Sequence, residues 1–516
     1  MKALKLLPAC LLFLCLASTA ALGQTNTVGV FTQSEEAYDG YTLMPITANG
    51  ETYLIDNCGE KIHSWTSEYN AGMMAYLLPD GSLIRAGRTN NTNFPAGGAG
   101  GIIERFDWEG NLTWSYLISS STECQHHDIA PMPNGNVLAL VWKAYPGEDW
   151  IALGRDPALT ALEVWSLSIV EIEPQGLDGG EVVWEWKSID HLIQDFDPTL
   201  PNFGDPSMHP SQLDVNYDAG GSDSDWLHTN SIFYNEELDQ IMVSSRDFNE
   251  LWVIDHSIPN DMTATAAGHL LYRWGNPEAY GRGTEEDRVF FGQHDAKWID
   301  NGQVMVFSNG LERPEGQFST VDIITPPLNA DGTYSLSPEE PWGPLTIDWR
   351  FPDSLDAEFF SPITSGAQQL PNGNILITEG LRCDIREVNW DQEVVWRYVN
   401  PMGAFGATVQ GEDPFLNGVF KAERYPASHP GLAGRDLTPQ GLLEITDNPP
   451  ACTLFPEPSC PGDLNGNYLI DVSDLLGMLS EFGCSSNCND DLDGDGTIGI
   501  GDLLILLAGI GLPCPY

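Results

Sequence analysis

Short runs of alternating apolar and polar positions, each closed by a turn, recur along most of this chain. Alternation of this kind reads as half-buried β-strand. One recurring unit is a strand, a turn such as PNGN, and a second strand. It appears as MMAYLLPDGSLI (73–84), HDIAPMPNGNVLAL (127–140), HTNSIFYNEELDQIMV (228–243), HDAKWIDNGQVMVF (294–307) and SGAQQLPNGNILIT (365–378). Turn residues between alternating runs are hairpin signals. A second unit leads from a strand through an acidic or glycine turn to a strand ending near Trp65, Trp114, Trp186, Trp274, Trp349 or Trp396. Each pair of units supplies four short antiparallel strands, and there are six Trp-ended copies. The pattern predicts an all-β fold, a six-bladed β-propeller, in which radial repetition leaves only short protected edges. The first Trp copy has no hairpin before it, so the segment near Phe420–Tyr425 is expected to complete that blade. The Trp residues themselves read as packing between blades.

The spacing of the units is uneven. Insertions at Ala144–Leu162, Asp190–Asp225 and Pro277–Phe291 are expected between blades, over one end of the central channel. After about Leu443 the pattern stops, and a proline-rich stretch over 446–459 reads as a linker. At the other terminus, Lys2 and Lys5 precede an apolar run and then small residues, so 1–23 reads as a signal peptide. The propeller is assigned to 24–445 and a last unit to 460–516.

Composition narrows the function. The 516 residues carry 74 acidic and 22 basic side chains, a net charge of −52, which excludes a nucleic-acid-binding role. No stretch of the mature chain approaches the roughly 20 apolar residues of a membrane span. The protein is therefore expected to be exported and soluble: periplasmic, cell-surface or extracellular. In so acidic a chain an anionic substrate has to be held by local positive charge.

The last unit is itself a repeat. Asp463, Asn465, Asn467, Leu469, Asp471 and Asp474 are followed 28 residues later by Asp491, Asp493, Asp495, Thr497 and Asp502 in the same spacing. Oxygen-bearing side chains with backbone carbonyls between them suit a hard cation with six to eight oxygen ligands. Each loop runs into an apolar segment, LLGMLSEF or LLILLAGI. The duplicated loop–helix unit resembles a type I dockerin. That resemblance implies two Ca²⁺ ions and a cohesin-like partner. It departs from the ordinary calcium loop in having Asp at the twelfth position and Tyr468 where the second loop has Gly496. Cys460, Cys484, Cys488 and Cys514 flank the loops and helices and are expected to form disulfides within the unit. Cys58, Cys124, Cys383 and Cys452 read as buried or structurally paired.

Candidate chemistry lies in the propeller. His127, His228 and His294 open three of the hairpin units, and Arg246 ends the second strand of the unit that His228 begins. Three histidines and an arginine in matched slots point to a small oxyanion. Neutral imidazole is a nucleophile near pH 7, and a guanidinium fork of donors suits an oxyanion. His126 falls outside this register. His63, His191, His209, His256, His269 and His429 read as structural or surface residues.

The runs QHHDIAPMPNGNVL, DWLHTNSI followed by SSR, and FGQHDAKWIDNGQVMVFSNG resemble the arylsulfotransferase family over roughly 40–440. The resemblance implies a propeller enzyme that moves a sulfuryl group from an aryl sulfate to a phenolic acceptor without a nucleotide donor. It implies His294 as the nucleophile, forming a sulfohistidine, with His228, His127 and Arg246 around it. The alternatives are a non-catalytic propeller that binds or adheres, and an aryl sulfate hydrolase in which water takes the covalent intermediate. The resemblance also implies an extra N-terminal domain that helps form a dimer. Only about thirty residues separate the expected signal peptide from the first blade strand, so dimerisation is not carried over.

Overall fold

The computed structural model describes residues 26–510, apart from 219–223, 354–355, 357, 448, 450–451, 453, 455–461, 465–469, 485–491 and 493–495. The proposed signal peptide and six of the eleven predicted calcium ligands (Asn465, Asn467, Leu469, Asp491, Asp493, Asp495) lie outside those residues.

Six four-stranded antiparallel blades make up the body of the molecule. Blades two to five take their strands in chain order, innermost first. Blade two is Ala71–Leu77, Leu83–Arg88, Gly101–Phe106 and Leu112–Leu117. Blade three is Glu123–Pro131, Val137–Pro146, Glu163–Gln175 and Gly179–Lys187. Blade four is Thr229–Asn235, Gln240–Ser245, Glu250–Asp255 and Tyr272–Trp274. Blade five is His294–Trp298, Val304–Ser308, Thr320–Ile324 and Trp349–Phe351. Blade six (Gly366–Gln369, Ile375–Glu379, Asp384–Val388, Val394–Val399) gains a fifth, outer strand from Gly29–Gln33 near the start of the chain. That addition has no signal in the repeat. Blade one closes the ring as expected: Glu423–Pro426 pairs with Gly40–Pro45, followed outward by Glu51–Ile55 and Lys61–Thr66.

The outer-strand tryptophans join one blade to the next. A buried indole carries a large apolar surface and one N–H that needs an acceptor. Trp65 Nε1 donates to Asp107 O (2.9 Å), Trp114 to Gly179 O (2.8 Å) and Trp186 to Gly268 O (2.7 Å). Trp274 donates to Pro344 O (2.8 Å) and Trp396 to Asn57 O (2.8 Å), across the closure. Every acceptor lies at or just before the start of the outermost strand of the following blade. Trp349 is the exception: its buried N–H has no partner among the described residues, and its ring packs edge-on to Trp390 instead.

Of the three insertions, two join blades, as expected: one links blade three to four and one links blade four to five. The third was misplaced. The second strand of blade three extends to Pro146, paired there with Glu163 of the third, and the insertion at 147–162 lies inside that blade, between its second and third strands. All three still emerge at the end of the channel where the inner strands begin. Cys58 and Cys452 form a disulfide that ties the tail to blade one, whereas Cys124 and Cys383 are buried thiols. Cys484 is disulfide-bonded.

Candidate active site

The inner strands enter the channel through backbone irregularities. Blades two to five each have a register shift in the inner hairpin. Left-handed φ values occur there at residues with side chains: Met73 (98°), His127 (50°), His228 (40°), Asp295 (56°) and, in blade six, Ser365 (87°). Bulges re-aim side chains, and left-handed backbone at non-glycine positions persists only where surrounding structure holds it.

Three cross-blade hydrogen bonds define the register. Asp128 Oδ2 accepts from Ile232 N (3.3 Å), Ser231 Oγ from Ala296 N (3.2 Å) and Asp295 Oδ2 from Ala367 N (3.0 Å). The residues preceding these acceptors are His127, Asn230 and His294. His127 and His294 therefore share one slot, but blade four fills it with Asn230. His228 stands two residues earlier, so three histidines in one slot is a misreading. The turn in blade four also has one residue more, as Asn235 pairs with Gln240, while Ile299 N bonds to Gln303 O. The displaced imidazole is nevertheless brought to the others.

The His127 and His228 rings meet edge to face, 4.8 Å between centroids. Phe420 from the closing segment lies 6.1 Å from His127 and 5.8 Å from His294. Arg246 N donates to His228 O (3.2 Å), and its guanidinium pairs with Asp247 Oδ1 at 2.6 Å. His127 and His294 are only 3% exposed, whereas the side chains of His228 and Arg246 are 19% and 23% exposed. Two rings thus form the floor of the site, and the other two groups face its mouth. Gly98 covers His127. Its carbonyl accepts from His127 N at 2.7 Å, and a Cβ there would stand 2.1 Å from His127 Cε1 and Nε2.

The protonation of two rings follows from their partners. Asn309 Nδ2 donates to Ser361 O (2.7 Å) and Thr364 O (2.8 Å), so its amide orientation is set and Oδ1 faces His294 Nδ1 at 2.7 Å. Gly292 O is also 3.1 Å from that nitrogen. With only acceptors around it, Nδ1 carries the proton, and His294 Nε2 keeps its lone pair. Burial, then the nearby Arg246 charge, push the His294 pKa down to about 3. His228 differs. Burial opposes its charged form, but Asp225, 2.6 Å from Nδ1, outweighs it, and the pKa is raised above 6.5. Burial and the neighbouring cationic groups lower that of His127.

Beneath the floor the channel is filled by charge. Asp128 and Asp295, each one residue after a floor histidine, converge on Lys421 Nζ at 3.6 and 2.5 Å. Lys297 pairs with Asp295 (3.0 Å) and Glu423 (3.3 Å), and Tyr76 Oη donates to Asp128 Oδ1 (2.9 Å). A cavity of about 670 Å³ lies at the opposite, turn end, lined by Tyr76, Met132, Phe233, Tyr425 and Glu423 among others, and no histidine reaches it.

Asp225, Asn309, Phe420, Gly98 and Lys421 were not singled out in the sequence. Asp225 and Asn309 lie within the very runs that carry the resemblance. Phe420 and Lys421 fall in the segment expected to close the ring, but had no repeat partner to mark them. In the last unit, helices Val472–Ser480 and Ile500–Gly509 repeat one capping scheme. Asp474 accepts from Leu464 N (2.8 Å) and Asp471 N (2.9 Å), and Asp502 from Leu492 N and Gly499 N (both 2.7 Å).

A model of the arylsulfotransferase family matches residues 27–397. No curated protein matches the chain. Similar solved structures include a protein of unknown function from Bacteroides caccae, at 11% identity and a TM-score of 0.40, covering 74% of this chain and 98% of that one. A catalytically inactive virginiamycin B lyase from Staphylococcus aureus is similar at 11% identity and a TM-score of 0.33, covering 74% and 90%.

Proposed function

With well over half its length inside that model, the chain belongs to the arylsulfotransferase family, and we propose that it moves a sulfuryl group from an aryl sulfate to a phenolic acceptor through a sulfohistidine at His294, without a nucleotide donor. The observation that carries this reading is the orientation of Asn309, which leaves His294 a neutral imidazole with its lone pair on Nε2, close to the charges of Arg246 and His228.

In the first half-reaction His294 Nε2 attacks sulfur, and the S–O bond to the arene breaks. The electron pair goes to the phenolic oxygen, which takes the Nε2 proton of the His228 imidazolium. In the second half-reaction the acceptor phenol returns a proton to His228, its oxygen attacks sulfur, and the S–N bond breaks. Arg246 and charged His228 lie where the sulfuryl oxygens gather negative charge, the kind of preorganised stabilisation that dominates group transfer. Covalent catalysis divides one displacement into two.

The test is mass spectrometry of the intact protein after brief exposure to 4-nitrophenyl sulfate. An SO₃ adduct mapped to His294 and discharged by added phenol is expected. Discharge by water at the same rate would make the protein a hydrolase. Absence of both adduct and nitrophenol would leave a propeller that only binds.

The proposal extends to the rest of the chain. Export through the 1–23 signal peptide fits the Cys58–Cys452 disulfide. Residues 460–516 are read as a dockerin-like unit for two Ca²⁺ ions and a cohesin-like partner. The matched capping of Asp474 and Asp502, both 1% exposed, supports a true duplication. Their carboxylates, with those of Asp463 and Asp471, are the oxygen donors such an ion takes. Chelation by EDTA is expected to lower the melting temperature of this unit and leave that of the propeller unchanged.

A further inference from the structure

His126 is a buried imidazole that the proposed reaction does not use. It is 0% exposed and stacked on Trp142, with ring centroids 4.1 Å apart and planes within 2°. Its Nδ1 lies 2.9 Å from Nδ1 of His127, and its Nε2 has no hydrogen-bond partner among the described residues. One proton lies between the two Nδ1 atoms, and its owner decides what His127 presents to the channel.

If His127 owned it, His126 would accept at Nδ1 and carry its own proton on Nε2, a buried N–H without an acceptor. If His126 owns it, the orphan is a lone pair instead. Orphaned buried N–H groups are the rarer defect in proteins. We propose, on the basis of the sulfuryl-transfer reading above, that His126 is a positioning residue that donates from Nδ1 to His127 Nδ1 and so holds His127 as its Nε2–H tautomer. His127 then meets a sulfuryl oxygen as a neutral hydrogen-bond donor. It is neither a second nucleophile competing with His294 nor a base competing with His228. A donor already oriented needs no reorganisation when charge develops on the sulfuryl group.

The test is long-range ¹⁵N–¹H spectroscopy of the full chain labelled at its ten histidines, with His127 and His294 assigned by single substitution. Expected is a pyrrole-type Nε2 and a pyridine-type Nδ1 for His127, and the reverse for His294. A pyrrole-type Nδ1 on His127 overturns the proposal. His126→Asp, which offers only an acceptor, is expected to reverse the His127 pattern and lower kcat about 100-fold with little change in KM. His126→Phe keeps the stack on Trp142 without either role and is expected to lower kcat about tenfold. Equal losses in both variants with an unchanged His127 spectrum would make His126 mere packing and would also overturn the proposal. The spectra need no turnover. An inactive wild-type chain would therefore sink the sulfuryl-transfer reading while the tautomer was still being read directly.

Discussion

His127 and His294 occupy the same slot two blades apart, each followed by an aspartate that reaches into the same ion cluster, yet their Nδ1 atoms have different partners. His294 faces an amide oxygen whose orientation two carbonyls enforce. His127 faces another imidazole. Position in the repeat thus determines where a ring stands, and the neighbour behind it determines which nitrogen holds the proton. Identical residues in identical slots can therefore take different chemical parts.

The sharpest break in the comparison is His294→Ala against His127→Ala. Loss of the proposed nucleophile should lower kcat more than about 10⁴-fold, whereas loss of a single donor should cost about 10²–10³-fold. Equal losses would make the two rings equivalent and remove the distinction. What the rings share is broken next, by Lys421→Met. Asp128 and Asp295 would be left as buried charges without their common partner, at a cost of about 3–5 kcal/mol in a urea melt. A near-neutral result would mean that the cluster does not hold the two strands.

Asn309→Ala attacks one side only. The Nδ1 proton then keeps only the longer contact to Gly292 O, the tautomer is held less firmly, and a fall in kcat of about a hundredfold is expected, given what tautomer errors cost in catalytic triads. Stability should fall by about 1–3 kcal/mol for the polar groups left unpaired. Gly98→Ala attacks the other side. Its φ of +82° already disfavours a side chain by about 1–2 kcal/mol, and the new Cβ would meet the His127 ring. Activity should fall further than stability does, with His294 still able to accept an SO₃ group.

The last break is in pH dependence. His126 and His294 are held neutral in the folded chain, with pKa values near 3 against 6.5 unfolded. Between those limits the unfolded chain binds the extra protons, so stability falls as pH drops below 6.5, by up to about 1.4 kcal/mol per pH unit for each such ring. His294→Ala should make that acid slope shallower. His228 acts in the opposite sense. Its raised pKa contributes stability below 6.5 that is lost as pH rises through the folded value, and the transfer rate should decline over the same alkaline limb. A rate unaffected by pH there would remove His228 as the proton donor.

Much of this was legible in the chain itself. The six Trp copies and five hairpins specified blade number, strand order and the closing segment, because alternation and turn chemistry act locally and the repeat multiplies a weak signal. His127 and His294 were matched correctly by their distance to the turn. His228 was not: it stands two residues ahead of the slot that Asn230 fills, and the extra turn residue in blade four shifts its distance to the turn by one more. The insertion at 147–162 was assigned to the wrong connection for a related reason, since a strand that lengthens past its partners leaves no mark in the pattern. The fifth strand at Gly29–Gln33 and the pairing of Cys58 with Cys452 join distant parts of the chain, for which spacing carries no information.

By itself, the sequence determined the repeat, the ring it builds and which residue types face the channel. Those follow from short-range alternation and from the need to bury one face of every strand. Only the tertiary structure decided which groups touch: Asn309 behind His294, His126 behind His127, Asp225 behind His228 and Lys421 between two aspartates. Proton location depends on a partner within about 3 Å and on exclusion from water. Chain closure and backbone bulges create both, and neither has a sequence period.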